Sequence, residues 1–260
     1  MTETSGKFGW YELMTTDVEA ASAFYAKVVG WTPTDSGLPG PTPYTILNAG
    51  AAPVGGVFTP ESGCPEGSRP GWIGYIFVDD VDAYVEKVTA AGGSVFIPAD
   101  DIPAVGRFSV VADPYGAVFT LFKPFPQDQA PPQAPDLTPG TFGWRELMAG
   151  DLDGAFAFYS GLFGWVKTQA IDMGPMGTYQ LFAYEAGGPD AGGMMTKPAD
   201  LPVSFWNYYA QVDSASAARD RALAAGATTM MDVHQVPDGS WIYMGSDPQG
   251  AGFAVVSTNQ

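Results

Sequence analysis

Cysteine and histidine are nearly missing from this chain: one of each occurs in 260 residues, Cys64 and His234. A lone cysteine excludes an intrachain disulfide and a thiolate metal cluster, and Cys64 reads as a small residue in a loop. Basic residues are scarce as well. Eleven Lys and Arg stand against 28 Asp and Glu, a formal charge of −17, which argues against nucleic acid or an anionic membrane as a partner. The excess is spread along the chain, since residues 1–130 carry 6 basic and 15 acidic groups and residues 131–260 carry 5 and 13. It serves solubility first and attraction of cationic ligands second. No run approaches the roughly 18 consecutive apolar residues that span a bilayer. The opening MTETSGKFGW has neither the basic nor the apolar part of a signal peptide, so a cytoplasmic location is expected. A Ser/His/Asp arrangement, a phosphate-binding glycine loop and a nucleotide fingerprint are all lacking.

What is present is apolar surface and repetition. Hydrophobic residues make up 46% and aromatics 13% of the chain, enough to bury substantial cores. The run Lys7-Phe-Gly-Trp-Tyr-Glu-Leu-Met14 returns as Thr141-Phe-Gly-Trp-Arg-Glu-Leu-Met148. The same offset of 134 pairs Asp17 with Asp151, Phe24-Tyr25 with Phe158-Tyr159, Gly30-Trp31 with Gly164-Trp165, and Asp113-Pro114 with Asp247-Pro248. Such a register means two copies of one domain. Only the middle slips, where Gly55-Gly56 answers Gly192-Gly193, and that slip reads as a loop difference. The expected division is a first domain at 1–123, a proline-rich linker at 124–140 and a second domain at 141–260. The copies are expected to pack as an internal pseudo-dimer in a monomeric protein.

Within one copy, alternation over residues 8–15 predicts a strand. Asp17 then caps a helix over 18–29 that Gly30 closes, with Ala21, Phe24, Tyr25 and Val28 as its core face. Extended runs follow near 44–47 and 54–58. The pattern restarts with a strand at 72–78, a helix from the Asp80 cap to about Ala91, and strands near 93–98, 107–112 and 117–122. Asp113-Pro114-Tyr115-Gly116 and Asp247-Pro248-Gln249-Gly250 predict type I turns. Each copy is thus an α+β domain of two βαβββ modules, whose strands form an open, cup-shaped mixed sheet with the helices outside. A cup lined by alternate strand residues suits a small molecule.

These residues resemble the vicinal oxygen chelate superfamily, which takes in glyoxalases, bleomycin-resistance proteins and extradiol dioxygenases. The run from Asp17 to Trp31 and again from Asp151 to Trp165, the helix start at Val78-Asp-Asp-Val-Asp82, and the two D-P-x-G turns carry the likeness. The subgroup it most resembles is that of tandem glyoxalase-like proteins and hydroxylases of actinobacteria. The resemblance implies a divalent metal held by His, Glu or Gln at three strand positions. Counting along the strands places these at Trp10, Ile73 and Thr120 in the first copy and at Trp144, Asn207 and Ala254 in the second. None of the six is a usual ligand, so neither metal nor cofactor is expected.

By strand parity the first cup presents Trp10, Glu12, Met14, Ile73, Tyr75, Phe77, Val118, Thr120 and Phe122. The second presents Trp144, Glu146, Met148, Asn207, Tyr209, Gln211, Ala254 and Val256. The other parity, with Leu13, Phe119 and Leu121, packs under the helices. An aromatic-walled cup holding one carboxylate suits a flat or apolar ligand with a donor or a cationic group; alternatively the aromatics simply fill the cup. Arg107 either pairs locally or meets an acidic substrate at the rim, local pairing being favoured. His234 aligns with Asp100 and reads as an exposed loop residue before the penultimate strand.

Three functions follow. The chain is read first as a metal-free binder of a small aromatic or cationic molecule. The alternative is a glyoxalase- or dioxygenase-type enzyme using Glu12 or Glu146 as a proton-transfer base; the third is an interaction scaffold with filled cups. The linings also differ, Ile73, Phe77 and Thr120 giving way to Asn207, Gln211 and Ala254. The second copy, with Trp144, Glu146, Asn207, Tyr209 and Gln211, is therefore expected to hold the better polar ligand site.

Overall fold

A computed structural model describes residues 5–38, 43–60, 69–126, 132–135 and 137–260. Cys64, read from the sequence as a loop residue, and the middle of the linker lie outside these residues. The first repeat runs β1 (Phe8–Met14), α1 (Val18–Val28), β2 (Thr32–Asp35), β3 (Thr45–Ala49), β4 (Ala52–Phe58), β5 (Gly71–Phe77), α2 (Val81–Ala90), β6 (Ser94–Ile102), β7 (Gly106–Ala112) and β8 (Val118–Pro124). The second repeats it as β9 (Phe142–Ala149), α3 (Leu152–Phe163), β10 (Val166–Asp172), β11 (Thr178–Ala183), β12 (Asp190–Thr196), β13 (Phe205–Gln211), α4 (Ala215–Ala224), β14 (Thr228–Gln235), β15 (Trp241–Ser246) and β16 (Gly252–Ser257). The βαβββ module therefore occurs four times, in an α+β fold.

Each repeat makes one eight-stranded mixed sheet, ordered β2-β3-β4-β1-β5-β8-β7-β6 and β10-β11-β12-β9-β13-β16-β15-β14. β1 with β4 and β5 with β8 run parallel, and the hairpins between consecutive strands are antiparallel. The slip between repeats sits in a loop, as expected. Only Gly50 and Ala51 join β3 to β4, whereas residues 184–189 join β11 to β12.

Local chemistry explains the element ends. The Asp17, Asp80 and Asp151 carboxylates accept from the backbone N–H three residues on, and the Ser214 hydroxyl does the same for α4. Each cap satisfies a donor that the first helical turn leaves without an intrahelical partner. In both D-P-x-G turns the glycine N–H returns to the aspartate carbonyl at 3.0 Å. Two elements differ from the sequence reading. Asp100 and His234 lie on the edge strands β6 and β14, not in loops. Both strands are irregular, with register shifts beside these residues, which hid them from a search for alternation. His234 is exposed, its Nδ1 3.1 Å from the Asp232 carbonyl.

The compact units do not follow the repeat. One unit holds residues through Trp10, 74–128 and 145–207, and the other holds 11–73, 129–144 and 208–260. Each unit thus joins the second module of one repeat to the first module of the other.

In the first unit Trp165 stacks on Phe182 (4.5 Å, 7°) and on Tyr159 (5.3 Å, 8°). Its Nε1 donates to the Gly6 carbonyl at 2.7 Å. Tyr84 of α2 stacks on Phe163 of α3 at 5.7 Å. Trp206 Nε1 donates to Tyr159 Oη (2.9 Å), which donates to Asp113 Oδ2 (3.2 Å).

The second unit is built from the equivalent residues. Trp31 Nε1 donates to the Gly140 carbonyl at 2.7 Å. Trp72 Nε1 donates to Tyr25 Oη (3.0 Å), and Tyr25 Oη donates to Asp247 Oδ2 (3.1 Å). Arg221 of α4 also donates from Nη2 to the Val28 carbonyl at 2.9 Å, meeting a C-terminal acceptor of α1 with a cation. In each relay the Trp and Tyr come from one repeat and the Asp from the other.

Cutting the backbone between Asp128 and Gln129, at an introduced protease site, should therefore leave the halves associated. They are expected to co-elute in native buffer at a one-to-one ratio and to part only in denaturant. Separation in native buffer would count against interleaved cores.

Candidate functional site

The faces carrying the expected site residues are set by strand register. Glu12 and Met14 on β1 stand opposite Gly56 and Phe58 on β4. The intervening Leu13 is fully buried, as are Phe119 and Leu121, so the alternation separates a core face from a second face. On that second face in the second unit, the Glu12 carboxylate belongs to a residue only 8% exposed. Tyr44 Oη donates to its Oε1 at 2.6 Å. A phenol donating at that distance stabilises a carboxylate anion. Gly56 makes the approach possible, because a Cβ there would overlap the Tyr44 hydroxyl.

The first unit holds the counterpart. Glu146, 9% exposed, stands opposite Gly193, and a Cβ on Gly193 would overlap the Tyr179 ring. Asn207, where the first repeat has Ile73, donates from Nδ2 to Glu146 Oε2 at 3.4 Å. This bond is long, hence weak. Met148 lies opposite Met195 on the same face, and Leu181 opposite Gly193.

The remaining expected residues fall within one unit or the other. In the first unit, Tyr75 and Phe77 stand opposite Thr120 and Phe122. The Phe122 ring lies 5.7 Å from Tyr75 and 5.6 Å from Phe77. Thr120 is fully buried, and its Oγ1 has no hydrogen-bond partner among the described residues. Trp10 is half-buried there. In the second unit, Tyr209 Oη reaches Met244 Sδ at 3.7 Å. Gln211 is buried with its Oε1 over Gly143, where a Cβ would come within 2.6 Å, and Trp144 is half-buried. Of the five residues expected to make the polar site of the second copy, Glu146 and Asn207 meet in the first unit. Trp144, Tyr209 and Gln211 belong to the second. Arg107 pairs locally, with Asp82 at 2.7 Å and 2.8 Å and with Asp101 at 2.9 Å. Hydrogen bonds from Arg107 hold the Asp82 carboxyl below its ordinary range.

Two features escaped the sequence reading. Tyr44 was read only as the start of a strand, although tyrosine recurs at Tyr179 and glycine pairs recur with it. The relays leave no separate mark in the sequence, because Tyr25 fits its helix's apolar stripe, which by itself implies only packing. Burial pushes the Tyr25 phenol well up, with the nearby Asp247 adding to it. Burial likewise raises Asp113 and Asp247, against the opposing pull of their backbone donors.

The sequence profile of the Glyoxalase/Bleomycin resistance protein/Dioxygenase superfamily matches this chain twice, over residues 7–121 and 141–255. The chain belongs to that superfamily. A Mycobacterium tuberculosis protein named "Putative glyoxylase CFP32" is 35% identical over 252 residues, covering 96% of this chain and 94% of that one. The "Anthracycline biosynthesis protein DauV" of a Streptomyces species is 28% identical over 268 residues, covering 98% and 94%. Among solved structures, the Mn(II)-bound glyoxalase from Novosphingobium aromaticivorans aligns with a TM-score of 0.66 at 15% identity, over 99% of this chain and 83% of that one. At that identity the likeness concerns fold.

The Novosphingobium structure is Mn(II)-bound; the positions counted along the strands of this chain hold Trp10, Ile73 and Thr120 in the first repeat and Trp144, Asn207 and Ala254 in the second. Trp10, Ile73, Trp144 and Ala254 carry no oxygen or imidazole ligand. Among the described residues, no three His, Cys, Asp or Glu side chains come together in a way that could hold an ion. Among the same residues, no helix is long and apolar enough to cross a membrane.

Proposed function

We propose that this chain binds a small molecule with a flat aromatic or apolar body and a hydrogen-bond donor or cationic group, and does so without the family's divalent metal. The observation that carries the reading is Glu12. A carboxylate this buried costs free energy unless it is paired, and here one oxygen takes the Tyr44 hydroxyl across a glycine that leaves room for it. The aromatic rings of Tyr44 and Phe58 lie 6.4 Å apart beside it, offering faces that attract cations and planar groups. The formal charge of −17 favours the approach of a cation over that of an anion. The Streptomyces relative is named for anthracycline biosynthesis, and anthracyclines are fused-ring aromatic compounds, a ligand class of the proposed shape.

The test compares two flat probes of similar size, the cation 9-aminoacridine and the anion anthracene-9-carboxylate. Saturation with the cation at a hundred times its Kd stabilises the native state by about 2.7 kcal/mol, a rise of roughly 5–10 °C in Tm. The anion is expected to give no rise, and Glu12→Gln to weaken the cation's effect. Absence of a shift with both probes would count against binding.

A further inference from the structure

We infer that the Glu146–Asn207 pair in the first unit is a subsite for a primary ammonium group carried on an apolar or aromatic body. The inference deepens the binding reading above and rests on it. Asn207 is half-buried, and among the described residues its amide makes a single side-chain hydrogen bond, the 3.4 Å contact from Nδ2 to Glu146. Among the described residues nothing donates to its amide oxygen. An amide oxygen and a largely buried carboxylate therefore stand side by side as acceptors. Arg145, the adjacent cation in β9, alternates to the opposite side of the strand and acts on Tyr184.

Two neighbouring acceptors select among cations. A quaternary ammonium has no N–H to give, and a guanidinium fork matches the two oxygens of one carboxylate and would leave the amide unused. A primary ammonium has three donors on one atom, enough for the carboxylate and the amide oxygen together. The body of the ligand has a place as well. Met148 and Met195 supply flexible thioethers that pack well against rings, and Tyr179 lies over Gly193 on the same face. The first repeat lacks the second acceptor, since Ile73 replaces Asn207, so this chemistry belongs to the second repeat.

Fluorescence titration of the full chain at pH 7 with 1-pyrenemethylamine and its neutral isostere 1-pyrenemethanol tests the assignment. The amine is expected to bind more tightly. Asn207→Ile, which copies the first repeat, should weaken the amine roughly ten- to hundredfold and leave the alcohol within about twofold. Glu146→Gln should act in the same direction, and it carries the test should Asn207→Ile fail to fold by circular dichroism. Equal binding of both probes, unmoved by either substitution, overturns the subsite and leaves the binding reading intact. Equal weakening of both probes assigns Asn207 to packing and also overturns it. Failure of both probes to bind the unsubstituted chain removes the binding reading itself.

Discussion

Replacing Trp165 by Ala is expected to lower the unfolding free energy by about 3–5 kcal/mol, the range for removing a large aromatic from a packed core. The indole is 2% exposed and lies between Phe182 and Tyr159. Its removal leaves a cavity bounded by rings that backbone register holds in place, so collapse can fill little of it. It also leaves the Gly6 carbonyl without the 2.7 Å bond from Nε1. Because Gly6 belongs to the first repeat and Trp165 to the second, the loss should loosen the N-terminal stretch as well as the core. Urea denaturation gives the first quantity, and amide exchange near Gly6 gives the second. A loss below about 1 kcal/mol would show that the ring stack contributes little.

Tyr159→Phe should cost about 2–4 kcal/mol, a large effect for removing one oxygen. The substitution leaves two buried groups, Trp206 Nε1 and Asp113 Oδ2, without the hydroxyl that now serves both. Each orphaned group costs about 1–3 kcal/mol. Trp206 is 5% and Asp113 2% exposed, so water reaches neither easily.

The relay should also be visible in pH dependence. Burial raises the Asp113 carboxyl above its ordinary value, so the folded chain binds this proton more tightly than the unfolded chain does. Its contribution is fully present below the unfolded value near 3.9 and is lost as pH rises through the higher folded one. The stability difference between the native chain and Asp113→Asn should therefore move in favour of the native chain as the pH falls from neutral towards 4. A difference that is flat with pH would contradict the raised value. Exposed carboxylates held low by arginine, such as Asp82 and Asp213, act with the opposite sign in both proteins and cancel in the comparison.

Much of this protein was legible from residue order, because its elements are local. Asp17 and Asp151 start helices by capping them, glycine and proline punctuate the strands, and the offset of 134 carries the fold from one repeat to the next. Parity along β1 and β9 separated Leu13 and Leu147, both fully buried, from Glu12 and Glu146. Such features depend on a few neighbouring residues, so the chain states them directly. Edge strands were harder to read: the bulges of β6 and β14 break the period of two, and exposure leaves no apolar face to mark.

Tertiary structure decided which residues meet. Tyr44 lies 32 positions from Glu12, and only the register of β3 on β4 and of β4 on β1 brings its hydroxyl within 2.6 Å of the carboxylate. The pairing of modules across repeats was likewise invisible. Two repeats with equivalent interfaces carry the same Trp, Tyr and Asp whether each packs on itself or on its neighbour. Sequence could thus name Tyr25, Trp72 and Asp247 but not their partnership. Only packing in three dimensions distinguishes the two arrangements, and there the Asp of one repeat accepts from the Tyr of the other.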